Sequence, residues 1–338
     1  MSTLVISDLH LGNRGGRDIL RLAPVRARLL AALDDVERLV LLGDCIELVK
    51  RRPGRSLALA EPVLGEIGRA LGPDREVILV PGNHDGPLVR EWALAQGTAL
   101  TAAHDVDPDA SPALARVLSW LRPARVRASY PGVWLGDGVW ATHGHYLDHH
   151  LFPTSAYGAL RPRDRPALPP GGPAGYELAA VRHHEAHRQG SEHHDARRLV
   201  RRAALTGLKT LTSRVPELLW RTGMAPVTAR LIDTQMRHVA VPAMERVTER
   251  LGVKADVIVF GHVHRRGPIG DESWPHPGST RFLNTGSWLR EPLLIDRAAP
   301  PHPYWPGGAV LIDRAGIPRS IGLLDDVAAE ELRPPGRH

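Results

Sequence analysis

The chain has 338 residues, 43% of them hydrophobic and 24% charged, and a formal net charge of +6 at pH 7. That composition excludes a disordered chain and a disulfide-stapled miniprotein, and the single cysteine, Cys45, suits a reducing compartment. No apolar run approaches the ~18 to 20 residues that span a bilayer, and the opening MSTLVISDLHLGN carries no basic leader with a cleavage site, so a cytoplasmic protein is expected.

Three apolar runs, Leu4 to Ser7, Leu39 to Leu42 and Val77 to Val80, stop abruptly in polar residues and predict buried strands that end in loops. Helical patterns lie between them, Ile19 to Leu33 and Leu57 to Leu71, so the first part predicts an alternating α/β arrangement. Such folds collect their sites at the carboxyl ends of the strands. Val133 to Leu135 and Val139 to Thr142 flank a Gly136-Asp137-Gly138 turn and predict a hairpin that runs into His143.

Residues 151–251 read differently. A Pro/Gly-rich loop from Pro153 to Gly175 is followed by helical periodicity without a strand signal, which predicts an inserted helical cap. Strand signals resume with Val257 to Phe260, running into Gly261 and His262, and Arg281 to Leu283, running into Asn284. Ala309 to Ile312 and Pro318 to Leu323 predict a closing hairpin. The expected organisation is a core over residues 1–150 and 252–325, the cap over 151–251 and a flexible tail over 326–338.

The strand ends share one chemistry. They carry Asp8 and His10 in SDLH, Asp44 in GDCIE, Asn83 and His84 in GNHD, His143 and His145 in THGH, and His262 and His264 in GHVH. Oxygen and nitrogen donors of these kinds suit Mn, Fe, Zn or Co and need no thiolate. On extended backbone the middle residue of a DxH or HxH triplet points away, which would let the outer two side chains converge. Each residue alone reads as readily as a helix cap or a hydrogen-bonded core group; the set points to metal.

DxH, GDxxE, GNHD, THGH and GHxH in this order resemble the calcineurin-like metallophosphoesterase superfamily, from Leu4 to about Ser287 with the cap excluded. The resemblance implies a four-layer αββα sandwich with an inserted helical cap and two divalent metal ions, Mn foremost, with Fe, Zn, Co or Ni as alternatives. It implies Asp8, His10, Asp44 and His264 on one metal, Asp44, Asn83, His143 and His262 on the other, and attack on phosphorus by a metal-bridging hydroxide. His84 would then stabilise the phosphoryl group or protonate the leaving oxygen, with Asp85 orienting it. His145 and Glu47 are expected in substrate or supporting contacts, and Cys45 and Asn284 in structural ones.

SDLHL, GDxxEL and a helical insertion look most similar to the UDP-diacylglucosamine pyrophosphatase-like branch, although His84 stands where that branch commonly has Arg and the cap is longer. A nucleotide-diphosphate or lipid-linked phosphate ester or pyrophosphate is the implied substrate; a cyclic-nucleotide phosphodiesterase or nuclease is the enzymatic alternative. A scaffold that has lost catalysis is the alternative of another class, and the intact motif set argues against it.

Within the cap, Val200, Ala204, Leu208, Leu211 and Val215 form a helical stripe, with Arg197, Arg198, Arg201, Arg202 and Lys209 on the other side. That face is expected to be solvated, or to meet an anionic membrane surface or a phosphate, with Arg197 and Arg201 as candidate substrate contacts. Histidines 183, 184, 187, 193 and 194 cluster nearby, without a carboxylate or cysteine that completes a metal motif. Of the 43 basic residues only Lys50, Lys209 and Lys254 are lysine, a bias that GC-rich coding explains as well as phosphate binding does. No nucleic-acid module is recognised.

Overall fold

Apolar residues alternate along the early strands, and that alternation makes two working faces. The computed structural model describes residues 1–13, 15–49, 53–150, 171–181, 239–274 and 278–333. Strands β1 (Thr3–Ile6), β2 (Arg38–Leu42), β3 (Glu76–Val80), β4 (His104–Val106), β5 (Arg125–Tyr130), β10 (Gly308–Ile312) and β11 (Pro318–Gly322) form a seven-stranded sheet in the order β11-β10-β1-β2-β3-β5-β4. β1, β2, β3 and β5 run parallel; β10 and β4 run antiparallel to them at the two sides, and β11 pairs antiparallel with β10. Leu4, Ile6, Leu39, Leu41, Val77 and Leu79 face one core, and Val5, Val40, Leu42, Ile78 and Val80 face another, as a repeat of two requires.

The first core lies under helices α1 (Ala23–Ala32), α2 (Pro53–Leu71), α3 (Arg90–Gln96) and α4 (Pro112–Trp120), which contribute Leu29, Leu64, Ile67, Leu114 and Val117. Each such fully buried side chain is worth ~1.5–3 kcal/mol of transfer free energy. The second core joins the first sheet to a smaller one of order β6-β7-β8-β9, built from β6 (Gly132–Gly136), β7 (Val139–Thr142), β8 (Val257–Phe260) and β9 (Arg281–Asn284). On its far face Trp140, Ile258 and Phe260 pack with Tyr176 and with Ala240, Val241, Met244 and Val247. Those residues come from helices over 172–181 and 239–251, so the order of layers is helix, sheet, sheet, helix.

Some boundaries differ from the sequence reading. The pattern from Ile19 to Leu33 divides into a 3-10 turn, Ile19–Arg21, and α1, because Pro24 has no N–H for a continuous helix and instead occupies the first turn of a new one. The loop expected through Gly175 ends earlier, since the chain is helical from 172. Of the tail expected to be flexible, residues 326–333 pack on the core, with Ala329 and Leu332 buried. Residues 182–238, with Arg197, Arg201 and the histidine cluster, lie outside the described residues, as do 151–170 and 334–338. No described helix is long and apolar enough to cross a membrane.

Candidate metal centre

Five non-glycine residues among those described have left-handed backbone: Asp8 (φ 55°), His10 (44°), Asp44 (51°), His262 (68°) and His264 (57°). That conformation is uncommon for residues with a Cβ and is retained only where surrounding structure holds it. All five are residues singled out by the sequence motifs. The DxH and HxH pairs therefore do not converge by strand alternation, as expected from sequence; β1 and β8 end at Ile6 and Phe260, and the pairs sit on left-handed turns just beyond them.

Backbone hydrogen bonds knit these turns together. Asp8 N–H donates to the Gly43 carbonyl at 3.0 Å, His10 N–H to the Asp44 carbonyl at 2.8 Å, and Gly261 N–H to the His143 carbonyl at 3.0 Å. Gly43 has φ 84°, and a Cβ there would strike the His143 ring, so two ligand-bearing loops meet only because this position is glycine. Asn284 completes the frame: buried, its Nδ2 donates to the Gly261 carbonyl at 2.7 Å, and its Oδ1 accepts from Gly286 N–H at 2.9 Å.

Each central side chain has one atom held and another turned inward. The Asp8 Oδ2 accepts from the Ser7 hydroxyl and, at 2.9 Å, from His262 N–H. Its Oδ1 is buried without a hydrogen bond, 3.2 Å from His264 Nε2 and 3.7 Å from His10 Nε2. The Asp44 Oδ1 accepts from His84 N–H at 2.7 Å, while Oδ2 lies 3.6 Å from His10 Nε2 and 3.4 Å from His143 Nε2. His143 Nδ1 faces the Leu42 carbonyl at 3.0 Å, which assigns its proton there and leaves Nε2 as a lone-pair donor, 3.3 Å from Asn83 Oδ1.

These atoms form three overlapping clusters, Asp8-His10-His264, His10-Asp44-His84 and Asp44-His143-His262, joined through His10 and Asp44. Ligands bonded at ~2.0–2.2 Å around one cation stand roughly 3.0–3.5 Å apart. The observed spacings and the orphaned Asp8 oxygen fit divalent cations held by this mixed donor set.

Electrostatics points the same way. Burial opposes the charge on Asp44, but His143, His10 and His84 outweigh it and hold the carboxyl well below its usual range. Burial likewise opposes a proton on His10 and His143, yet Asp8 and Glu47 raise His10 to about 10, and Asp44 raises His143 to about 9. Anionic oxygens concentrated here attract positive charge, which cations supply by displacing those protons.

The expected role of Asp85 is corrected. Its carboxylate does not meet the His84 ring; it accepts backbone N–H bonds from Cys45 at 2.7 Å, from Asp44 at 3.3 Å and from Gly82, stapling two loops. Burial, then the Asp44 charge, raises it to about 6. The group on His84 is Glu47, fully buried, with Oε1 2.7 Å from His84 Nδ1 and Oε2 3.7 Å from His10 Nδ1. GDCIE held a signal for this in its acid three residues after Asp44.

His145 stands apart from the three clusters, its Nε2 3.4 Å from the Tyr130 hydroxyl. Cys45 points into the first core, its thiol pushed up by burial. Sequence reasoning missed Asp148, whose Oδ1 lies 3.0 Å from His262 Nε2, although THGHYLD places it five residues after His143. It also missed Tyr130, Tyr146, Tyr176 and Glu177, which line a cavity beside Asn83 and His84 and carry no motif. A family model described as calcineurin-like phosphoesterase matches residues 1–266. No curated protein matches the chain.

Proposed function

The chain belongs to the calcineurin-like phosphoesterase family, metal-dependent hydrolases of phosphoric esters, and from that premise we propose that its centre holds two divalent cations and cuts a small phosphorylated substrate. Asp8, His10, Asp44 and His264 hold one cation, and Asp44, Asn83, His143 and His262 the other, with Asp44 shared. The observation that supports this assignment is the grouping of His10, His84, His143 and His262 about Asp44, with Asp8 and His264 joined to them through His10. When bound, two such cations polarise a phosphoryl oxygen and acidify water.

The remaining work falls to the chain's own side chains. Glu47 pairs with His84 Nδ1 and so turns Nε2 toward Asp44, the position from which the ring can donate a proton to a leaving oxygen or a hydrogen bond to a phosphoryl oxygen. Asp85 acts on geometry, through the backbone of Asp44, Cys45 and Gly82. We assign residues 1–150 and 252–325 to the catalytic core and 151–251 to an insertion that selects the substrate; helices 172–181 and 239–251, packed on the smaller sheet, support its attachment there.

Manganese is the cation of choice in this reading, the cytoplasm its compartment, and a nucleotide-diphosphate or lipid-linked ester, as in the UDP-diacylglucosamine pyrophosphatase-like branch, its widest substrate class. Peripheral contact with an anionic membrane is assigned to the basic stretch around Arg197 and Arg201. Metal-depleted protein resupplied with Mn, Fe, Zn, Co or Ni should bind two ions per chain by elemental analysis and regain hydrolysis of a chromogenic phosphate mono- or diester. Turnover indifferent to metal removal, or fewer than two ions with every metal, would sink the assignment.

A further inference from the structure

Beside the metal centre lies a cavity of about 330 Å³ whose near end is Asn83 and His84 and whose far wall includes Arg90, Tyr130, Tyr146 and Glu177. A leaving group departing from phosphorus past His84 has this space to occupy. The volume is at the lower end of the ~300–1,000 Å³ range of small-ligand sites, so the occupant is small. The apolar part of the wall is largely aromatic, from Tyr130, Tyr146 and Tyr176, and an occupant must also meet the polar groups set between those rings.

Glu177 decides what the cavity accepts. Its side chain is buried, only 8% exposed, at the middle of helix 172–181. Oε1 accepts from the hydroxyls of both Tyr130, at 2.6 Å, and Tyr146. Oε2 receives no hydrogen bond from any described residue. Two tyrosines converge on Oε1 and so fix the direction of the carboxylate, which lines the cavity. Oε2 is left to accept from a donor that enters the cavity. Tyr146 is in turn stacked on Tyr176, ring centroids 4.2 Å apart, so the carboxylate stands on a rigid base. The second unpaired group in the wall is His145, whose Nδ1 is buried without a hydrogen bond. At the rim, exposed Arg90 makes no ion pair or hydrogen bond with a described residue and adds positive charge that favours an anionic ester.

Resting on the phosphoesterase reading, we propose that this cavity seats the leaving group of the substrate and that Glu177 selects one bearing hydroxyls, of the sugar or polyol class. Carboxylate oxygens accept two hydroxyls readily, and a site built to hydrogen-bond an OH rejects the analogue that lacks it far more strongly than an apolar pocket rejects a missing methylene.

The test compares a hexose phosphate, hexyl phosphate and a nucleoside monophosphate on the full-length, metal-loaded protein. The hexose ester should exceed hexyl phosphate in kcat/KM by at least ~10-fold, chiefly through KM, and Glu177→Gln, which turns an acceptor into an NH₂ donor, should bring that ratio toward one. Equal kcat/KM for the hexose and hexyl esters in the wild type overturns the proposal, and so does a ratio that Glu177→Gln leaves intact. A nucleoside ester preferred over the hexose overturns the sugar assignment in favour of a base-reading pocket. If Glu177→Gln loses its cooperative melt, the wild-type ratio decides alone. If no ester is hydrolysed, the phosphoesterase reading fails on its own; calorimetric titration of the metal-loaded protein with hexose and hexyl phosphate still decides the cavity, at least ~10-fold tighter hexose binding supporting it and equal binding refuting it.

Discussion

The two ends of the site are built on opposite plans. At the metal end, side chains come from strand termini of both sheets, each with one atom tied to backbone and the other turned inward, and the backbone itself is held left-handed at Asp8, His10, Asp44, His262 and His264. At the cavity end, groups come from α3, β5, the turn after β7 and helix 172–181, and some of their polar atoms have no partner among the described residues. The difference teaches where each property resides. A metal centre tolerates no freedom in its donors, so the fold spends its rigidity there, while recognition needs polar atoms kept open for a ligand to fill.

The strongest test of that contrast is Asp44→Ala. Removing the shared carboxylate should lower kcat by roughly 10³-fold, the loss of several kcal/mol of charge stabilisation, and drop bound metal below two ions per chain. A variant retaining two ions would place the shared ligand elsewhere. Glu47→Gln should come next. It leaves the donors in place but loosens His84 and His10, so metal affinity and turnover should each fall ~10- to 100-fold, with activity in the variant partly recovered by excess metal.

Asp85→Ala separates stapling from proton relay. With three backbone N–H groups losing their buried acceptor, at ~1–3 kcal/mol apiece, the melting temperature should fall by many degrees. A variant with unchanged melting but an altered pH–rate profile would restore the relay role to Asp85. The smallest effect belongs to Glu76, far from either end, between Arg38 at 2.6 Å and Arg127 at 2.9 Å. Burial opposes its charge, but the two guanidinium groups outweigh it and lower the carboxyl below its usual range. The stability it adds is therefore present above the unfolded value of ~4.3 and disappears as pH falls through the depressed one. Glu76→Gln should cost ~0.2–1 kcal/mol at pH 7, since the group is partly exposed and screened, and close to nothing at strongly acidic pH by urea titration.

Much of the core was legible because buried strands announce themselves. β2, β3, β7 and β8 match apolar runs to within a residue, and the alternation along them places each side chain in the correct core. β4 and β5 were not legible: β4 has three residues, and β5 opens Arg125-Val126-Arg127, where Arg127 pairs with Asp105 and Glu76 and Arg125 donates to the Asp74 carbonyl, so that charged residues break the apolar signal. The donors of the centre were legible as types, because Asp, Asn and His at strand ends declare their chemistry. Glu47 and Asp148 were harder, since an acid a few residues past a ligand is equally at home as a cap or on the surface.

By itself the sequence determined the family, most of the strands along the chain and the residue types gathered at their ends, all of which depend on residue type and local spacing. Tertiary structure alone decided that Glu47 rather than Asp85 faces His84, that Asp44 stands between two clusters, and that Glu177 meets Tyr130 and Tyr146 from 47 and 31 residues away. The physical reason is direction. A side chain's chemistry travels with its residue, but where it points depends on backbone dihedrals set by neighbours remote in the chain, here the left-handed turns that the two sheets, packed face to face, hold against their own strain.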